Sequence, residues 1–331
     1  EVEIPVAKKL IAGFADFHKG EQLENLTELP YNPYKFKRRK SYEVLNAGGT
    51  NPPIVIVASK GNIQGELQPD FTIANSIKKE GKPQFLECTD KKVAEEIPYI
   101  SLTHMSTEDY SVPCFIHVDT TSLDNSIFDK LSSTKNKIIV LSSNRINPVA
   151  DMRGAIIRLS AHGVKLPVVG KLKFACDEVE DLQLLAAAKF GALLIDGLLD
   201  GIWIENTGNI TAEDVCSASF GILQASRMRV SKPDYISCPS CGRTQFNIQA
   251  TTKIIRSKTA HLKGLKIGIM GCIVNGLGEM ADADYGYIGG APGKVNLYYN
   301  KDLIKRGVPE DEAVEELIGL IKTKGDWVEP N

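Results

Sequence analysis

The chain has 331 residues, a length that favours two domains over one. Apolar residues make up 43% and charged residues 24%, so a sizeable core can form and a disordered chain is excluded. Lys plus Arg number 39 against 41 Asp plus Glu, and a net charge of -2 gives no global attraction to nucleic acid or to an anionic membrane; neither is expected as a partner.

The first element in chain order is "IPVAKKLIAGFADFHKG", where Val6, Leu10, Ile11 and Phe14 recur at helical spacing and Gly20 can end the helix. "LPYNPYKFKRRKSYEVLNAGGTNPP" follows, rich in Pro, Gly, Asn and bases, and reads as a connector. Its "KFKRRK" is expected to be a solvated run, with contact to a diphosphate or to nucleic acid as the rival reading.

Short apolar runs of strand composition come next: "IVIVAS", "QFLE", "IPYISL", "CFIHVD", "KIIVLS", "LPVVGKLKFA", "ALLID" and "GIWIE". Helical patterns such as "INPVADMRGAIIRLSAHG" and "EVEDLQLLAAAKFG" lie between several of them. Strand–helix alternation implies a mainly parallel sheet. About eight strands suit a compact, degenerate (β/α)8 barrel over residues 51–230, and an open sheet reads the same way. "TAEDVCSASFGILQASRMR" reads as its last helix.

The pattern changes near residue 230. The expected fold is therefore α/β: a barrel-like (β/α) domain, then a smaller α+β domain over 231–331. In the second part "LKIGIMGC" and "KVNLYY" read as strands, "NGLG" and "GYIGGAPGK" as glycine-rich turns, and "PEDEAVEELIGLIKTKG" as an amphipathic helix with Pro309 in its first turn.

Seven cysteines, an odd number in a long chain, argue for a reducing compartment rather than a secreted disulfide framework. No apolar run approaches the roughly 18 residues of a membrane span, and no signal peptide is evident. Residue 1 is Glu, so a targeting segment ahead of it stays open. Cys88, Cys114, Cys176 and Cys216 lie in or beside apolar elements and are expected to be buried small hydrophobes.

The other three are different. Cys238 and Cys241 form a C-x2-C knuckle around Pro239, and Cys272 follows where a strand runs into glycine-rich sequence. Two thiolates at this spacing reach one metal centre from a tight turn. The second close pair of a zinc ribbon is absent, although His261 or Cys216 offers a fourth ligand. A thioredoxin-like redox pair wants the knuckle at a helix start, which Pro239 fits poorly. An iron–sulfur cubane needs one ligand per iron, and three thiolates leave one iron for an oxygen ligand such as Glu279. Residue types alone leave zinc, cluster and redox pair open.

The blocks "CPSCGRT" and "MGCIVNGLGEMADADYGYIGGAPGK" resemble the C-terminal domain of the 4-hydroxy-3-methylbut-2-en-1-yl diphosphate synthases. The resemblance extends to "KRGVPEDEAVEELIGLIKTKGDWVEP", "GALLIDGLLDGIWIE" and "LQASRMR". It implies a [4Fe–4S] cluster held by Cys238, Cys241, Cys272 and Glu279, and an oxidoreductase of the methylerythritol phosphate route to isoprenoids. The implied reaction opens 2-C-methyl-D-erythritol 2,4-cyclodiphosphate reductively, with ferredoxin or flavodoxin as electron donor. A bacterial cytoplasm is the implied location, or a plastid stroma for a plant source.

The chain resembles the long form of that family without its first barrel. Residues 1–20 would then be the last helix of an absent N-terminal catalytic barrel, 21–50 a connector, 51–230 the insert domain and 231–331 the cluster domain. Such a fragment is expected to turn over little by itself, the insert serving as a spacer. Asn275 matches the family's turn asparagine and is expected to contact substrate or to orient Glu279. Arg243, Thr244 and Lys294 are weaker candidates for diphosphate contact; Lys294 is no P-loop lysine, because Val295 stands where Ser or Thr is needed. One departure is Leu277, where the family turn usually has proline. The alternative to an enzyme is a zinc-ribbon interaction module without catalysis.

Overall fold

The computed structural model describes residues 3–19, 32, 34–59, 62–73, 84–88, 96–102 and 112–330. The chain divides into two compact units, Glu1–Arg229 and Val230–Asn331.

The first unit opens with helix α1 (Glu3–Phe14), which packs on a later helix, and a short hairpin of β1 (Glu43–Val44) and β2 (Ala47–Gly48). A closed barrel of eight strands follows: β3 (Ile54–Ala58), β4 (Phe71–Ile73), β5 (Gln84–Cys88), β6 (Glu96–Ser101), β7 (Cys114–Asp119), β8 (Lys137–Ser142), β9 (Val168–Phe174) and β10 (Gly201–Asn206). Helices α2 (Asn125–Ser132), α3 (Pro148–Ala161) and α4 (Val179–Ile195) alternate with the later strands, and α5 (Ala212–Ala225) follows β10. Neighbours pair in parallel from β6 to β10, and β10 closes on β3 in parallel. Strand β5 runs against both of its neighbours.

Alternation along each strand builds two apolar layers. Ile54, Ile56, Phe115, Ile138, Val140 and Trp203 fill the barrel interior, while Val55, Val57, Ile116, Ile139, Leu141 and Ile202 pack outward under the helices. The barrel is thus a filled core and not a pore.

Helix starts follow side-chain capping. Asn147 Oδ1 accepts from the Ala150 amide at 3.1 Å ahead of α3, whose first residue is Pro148. Thr211 accepts from the Asp214 amide at 3.1 Å ahead of α5.

Two strand expectations exchange places. "ALLID" is the last turn of α4, not a strand, and the eighth strand is the three-residue β4. Helix α4 lies against α1, α3, α5 and β9, so apolar residues surround it and the one-sided stripe fades.

The connector is not a uniformly solvated run. Lys35, Lys37 and Lys40 are exposed, but Arg38 and Arg39 turn onto Asp200 at 3.0 and 2.8 Å, and the Asp200 side chain is only 2% exposed. The same carboxylate accepts from Ser41 Oγ and the Val168 amide, each at 3.0 Å. Asp200 precedes β10, so this network ties the connector across the amino-terminal floor of the barrel.

The second unit is a five-stranded sheet in order β11 (Asp234–Ser237), β12 (Lys266–Met270), β13 (Tyr285–Ala291), β14 (Lys294–Tyr299) and β15 (Asp302–Pro309). The first three are parallel and the rest antiparallel. Helix α6 (Ile248–Thr259) joins β11 to β12, α7 (Ile273–Glu279) joins β12 to β13, and α8 (Glu310–Lys324) closes the unit. Ile255, Ile267, Ile269, Tyr285, Leu317 and Ile321 belong to its core. Acids crowd the first turn of α8, and Gly325 at φ +85° ends it, as its sequence implies; Pro309 is its cap rather than part of its first turn. Most of "GYIGGAPGK" is the end of β13 and not a turn, with the reversal at Pro292 and Gly293.

No helix among the described residues is long and apolar enough to cross a membrane.

Candidate metal centre

In a parallel arrangement, the carboxyl ends of β11, β12 and β13 fall on one side of the sheet. Cys238 directly follows β11, and Cys272 lies two residues past β12. The sequence thus places the knuckle and the third cysteine at the same sheet end, although 30 residues lie between Cys241 and Cys272.

Close backbone packing locks this end together. The Gly271 amide donates to Cys238 Sγ at 3.3 Å, and the Gln245 amide donates to the Gly271 carbonyl at 2.9 Å. Gly271 suits this close approach: a Cβ there would stand 2.8 Å from Ile248 Cδ1 and 2.9 Å from Thr244, which would have to shift. The knuckle turns sharply because proline fixes the backbone at 239 and Ser240 adopts φ +73°, unusual for a residue with a side chain. Thr244 Oγ1 accepts from the Cys241 amide at 3.0 Å and pairs with Ser240 Oγ at 3.2 Å, so its hydroxyl is engaged in the turn.

Cys272 is the N-cap of α7, and its thiol makes no capping hydrogen bond. Glu279 ends that helix, so "NGLGE" is helical where the sequence reading expects a turn. Leucine makes this conformation accessible. Position 277 is the fifth of the helix, where proline has no amide proton to contribute. Cys272 and Glu279 are therefore seven positions apart on one helix face, about 10 Å along the axis. Cys238 and Cys272 are half-buried, while Cys241 and Glu279 are exposed.

The remaining candidates distribute unevenly. Arg243 is exposed on the knuckle. Lys294 is exposed at the start of β14, opposite Ala291, which puts it at the thiol end of the sheet. Asn275 lies within α7, and its side chain falls outside the described residues. The apolar face that α7 exposes, Ile273, Val274 and Leu277, is a feature the sequence reading missed; only the helical spacing of 273 and 277 hints at it.

Neither rival fourth ligand stands here. Cys216 is buried in the barrel unit, its Sγ 3.6 Å from the Leu67 carbonyl. His261 precedes β12, at the far end of that strand from Gly271, with its ring against Trp327. Among the described residues, no three His, Cys, Asp or Glu side chains converge as one metal ion requires. The donor set fits an iron–sulfur cluster on chemical grounds: thiolates are its usual ligands, and each ligand takes a separate iron.

Residues 234–323 match the family described as the GcpE protein C-terminal domain. Over 99% of its length the chain is 39% identical to 4-hydroxy-3-methylbut-2-en-1-yl diphosphate synthase (flavodoxin) of Bacteroides fragilis. It is 40% identical, again over 99% of its length, to the protein of that name from Parabacteroides distasonis. This chain is a relative of those synthases. It spans about half the length of the curated relatives it matches, 54% and 55% of these two. A segment covering 52% of the chain is also 49% identical to the chloroplastic ferredoxin-dependent synthase of Oryza sativa subsp. japonica, of which it covers 23%. The synthase relationship therefore extends through the barrel unit as well as the thiol-bearing one.

Proposed function

We propose that this chain is the cluster-bearing part of a 4-hydroxy-3-methylbut-2-en-1-yl diphosphate synthase. In this reading Cys238, Cys241 and Cys272 hold a [4Fe–4S] cluster and Glu279 ligates the fourth iron. The observation that carries it is the Gly271 amide bonded to Cys238 Sγ, which sets the knuckle beside the start of α7. When bound, such a cluster supplies single electrons and a Lewis-acidic iron.

The chain's own residues do the rest. The Gly271 amide donates to the Cys238 sulfur and fixes its position. Pro239, Ser240 and Thr244 hold the knuckle in its tight turn. Glu279, a carboxylate among thiolates, is the exchangeable member of the set. Arg243 and Lys294, cationic and exposed at this sheet end, suit the diphosphate of 2-C-methyl-D-erythritol 2,4-cyclodiphosphate. Asn275 is assigned to substrate contact or to orienting Glu279.

The relatives' printed names supply the electron donors of this reading, flavodoxin or ferredoxin. The rest of the enzyme is a catalytic barrel not included in residues 1–331, with residues 51–230 as the insert and 231–331 as the cluster domain. The location that goes with this reading is the bacterial cytoplasm, or a plastid stroma for a plant source.

Anaerobic purification with iron, sulfide and zinc analysis tests the proposal. About four irons and four sulfides per chain are expected. One zinc and no sulfide would replace this reading with a structural knuckle in an interaction module. Turnover of the cyclic diphosphate is expected only when the chain is joined to the catalytic barrel.

A further inference from the structure

From Tyr235 to Gly278 the sequence contains no Asp or Glu, although the chain has 41 of them. Arg243, Lys253, Arg256, Lys258, Lys263 and Lys266 fall in this stretch, which includes the knuckle, α6 and Cys272. In a chain of net charge -2 such a run makes a one-signed surface, where protein surfaces ordinarily mix both signs.

The structure sorts these cations. Helix α6 packs on β11 and β12 and turns Thr251 and Ile255 inward. Lys258 pairs with Glu315 of α8 and is neutralised. Lys263 and Lys266 lie beyond the far end of α6, where β12 begins. Arg243 on the knuckle and Lys253 and Arg256 on α6 are left, all three exposed. Arg256 leans over the edge of the sheet, its guanidinium 4.9 Å from the centre of the Tyr235 ring on edge strand β11. Lys253 stands three residues earlier, on the same side of the helix. Among the described residues no carboxylate pairs with any of the three.

The neighbouring acids lie on other surfaces. Asp234 precedes Tyr235 on β11 and so points to the opposite face of the sheet. Glu310, Asp311 and Glu312 open α8, which covers β13, β14 and β15 on the other flank. The unit is thus basic toward β11 and acidic toward β15. Ile254 adds an apolar side chain, 47% exposed, between the cations of α6. Cys241 is the exposed sulfur of the three, two residues from Arg243, so an electron arriving from outside meets it first.

We propose that Arg243, Lys253, Ile254 and Arg256 form the docking face for a flavodoxin, met through an acidic surface around its redox group. This rests on the synthase reading above. The relatives matched over 99% of the chain are named for flavodoxin, and the ferredoxin-dependent one is matched over 52%. Docking brings the carrier to Cys241. The carrier then loses one electron and the cluster gains it, with no bond or proton exchanged. Opposite charges steer the encounter, and the acids of α8 repel a carrier that approaches from the other flank.

Titration of the reconstituted full chain with an oxidised, acidic flavodoxin, read by calorimetry, tests this. Saturable binding is expected at low salt, weakened at least about tenfold between about 0.05 and about 0.3 M salt. Lys253→Glu and Arg256→Glu should each weaken it about three- to tenfold with bound iron unchanged. Lys301→Glu makes the same charge change between β14 and β15, at the sheet end away from the thiols, and should leave binding unaltered. The proposal is overturned by no saturable binding, by equal effects of all three variants, or by equal binding of a single-stranded oligonucleotide. It is also overturned if a ferredoxin binds and flavodoxin does not, or if binding is lost once the chain is joined to the catalytic barrel, which would then cover this face. Iron analysis of the same samples separates the two readings. Zinc without sulfide removes the synthase reading and this one with it, whereas a loaded cluster with no carrier bound removes only this one.

Discussion

In the barrel unit Cys114, Cys176 and Cys216 are buried among apolar side chains, whereas in the C-terminal unit Cys238, Cys241 and Cys272 stand half-buried or exposed at one sheet end. Burial pushes the Cys216 thiol up to about 12, with the Asp70 carboxylate as a lesser cause, and raises Cys176 in the same direction. These sulfurs fill space. Of the other three, Cys238 Sγ accepts from the Gly271 amide, Cys241 sits in the tight turn, and the Cys272 thiol makes no capping hydrogen bond. Burial, rather than cysteine count, separates the sulfurs that pack from those the proposed reading uses as ligands.

The sharpest way to break this comparison is to remove one cysteine from each set. Cys272→Ala should abolish nearly all bound iron and sulfide, while Cys216→Ala should keep both and cost about 1 kcal/mol of stability. Equal iron loss in the two variants would erase the distinction. Asp200→Ala should cost about 3–5 kcal/mol, because Arg38 and Arg39 lose the carboxylate that compensates their charge. Urea unfolding read at the barrel should show it, with iron content unchanged. Gly271→Ala should cost about 1–3 kcal/mol, since a Cβ collides with Thr244 and Ile248. Its diagnostic is faster alkylation of Cys238 in the apoprotein than in the parent chain, because the knuckle is displaced; an unchanged rate would mean the glycine does not set the site.

The smallest effect concerns pH. The Cys216 thiol is raised from 9.0 to about 12 on folding. The folded state then holds its proton more tightly than the unfolded chain does. Stability from this group is fully present below pH 9.0 and is lost as pH climbs toward about 12. At about pH 9.5 the loss stays below about 1 kcal/mol, and Cys216→Ala should remove it. A pH profile of unfolding identical in both proteins would contradict this.

Much of the fold was legible in the sequence because its signals are local. The runs "CFIHVD", "KIIVLS" and "GIWIE" are strands, and "TAEDVCSASFGILQASRMR" contains α5 capped at Thr211. What escaped depends on tertiary context. Three residues of β4 carry too little alternation to be read, and β5 reverses direction without any sign in its composition. "KFKRRK" looks solvated until Asp200, 161 positions after Arg39, supplies a buried partner. At the candidate site the residue types and spacing named the three thiols. That Cys272 begins a helix and Glu279 ends it could not be read through two glycines, which suggest a turn.

The placement of the indoles has a practical consequence. The chain contains two tryptophans, Trp203 inside the barrel and Trp327 on the second unit. Each unit therefore carries its own intrinsic fluorophore. Lys171 lies over one ring and His261 lies edge-on to the other, so their emission should respond to different surroundings. With either one replaced by phenylalanine, the melting of one unit can be followed optically in the intact chain without a label.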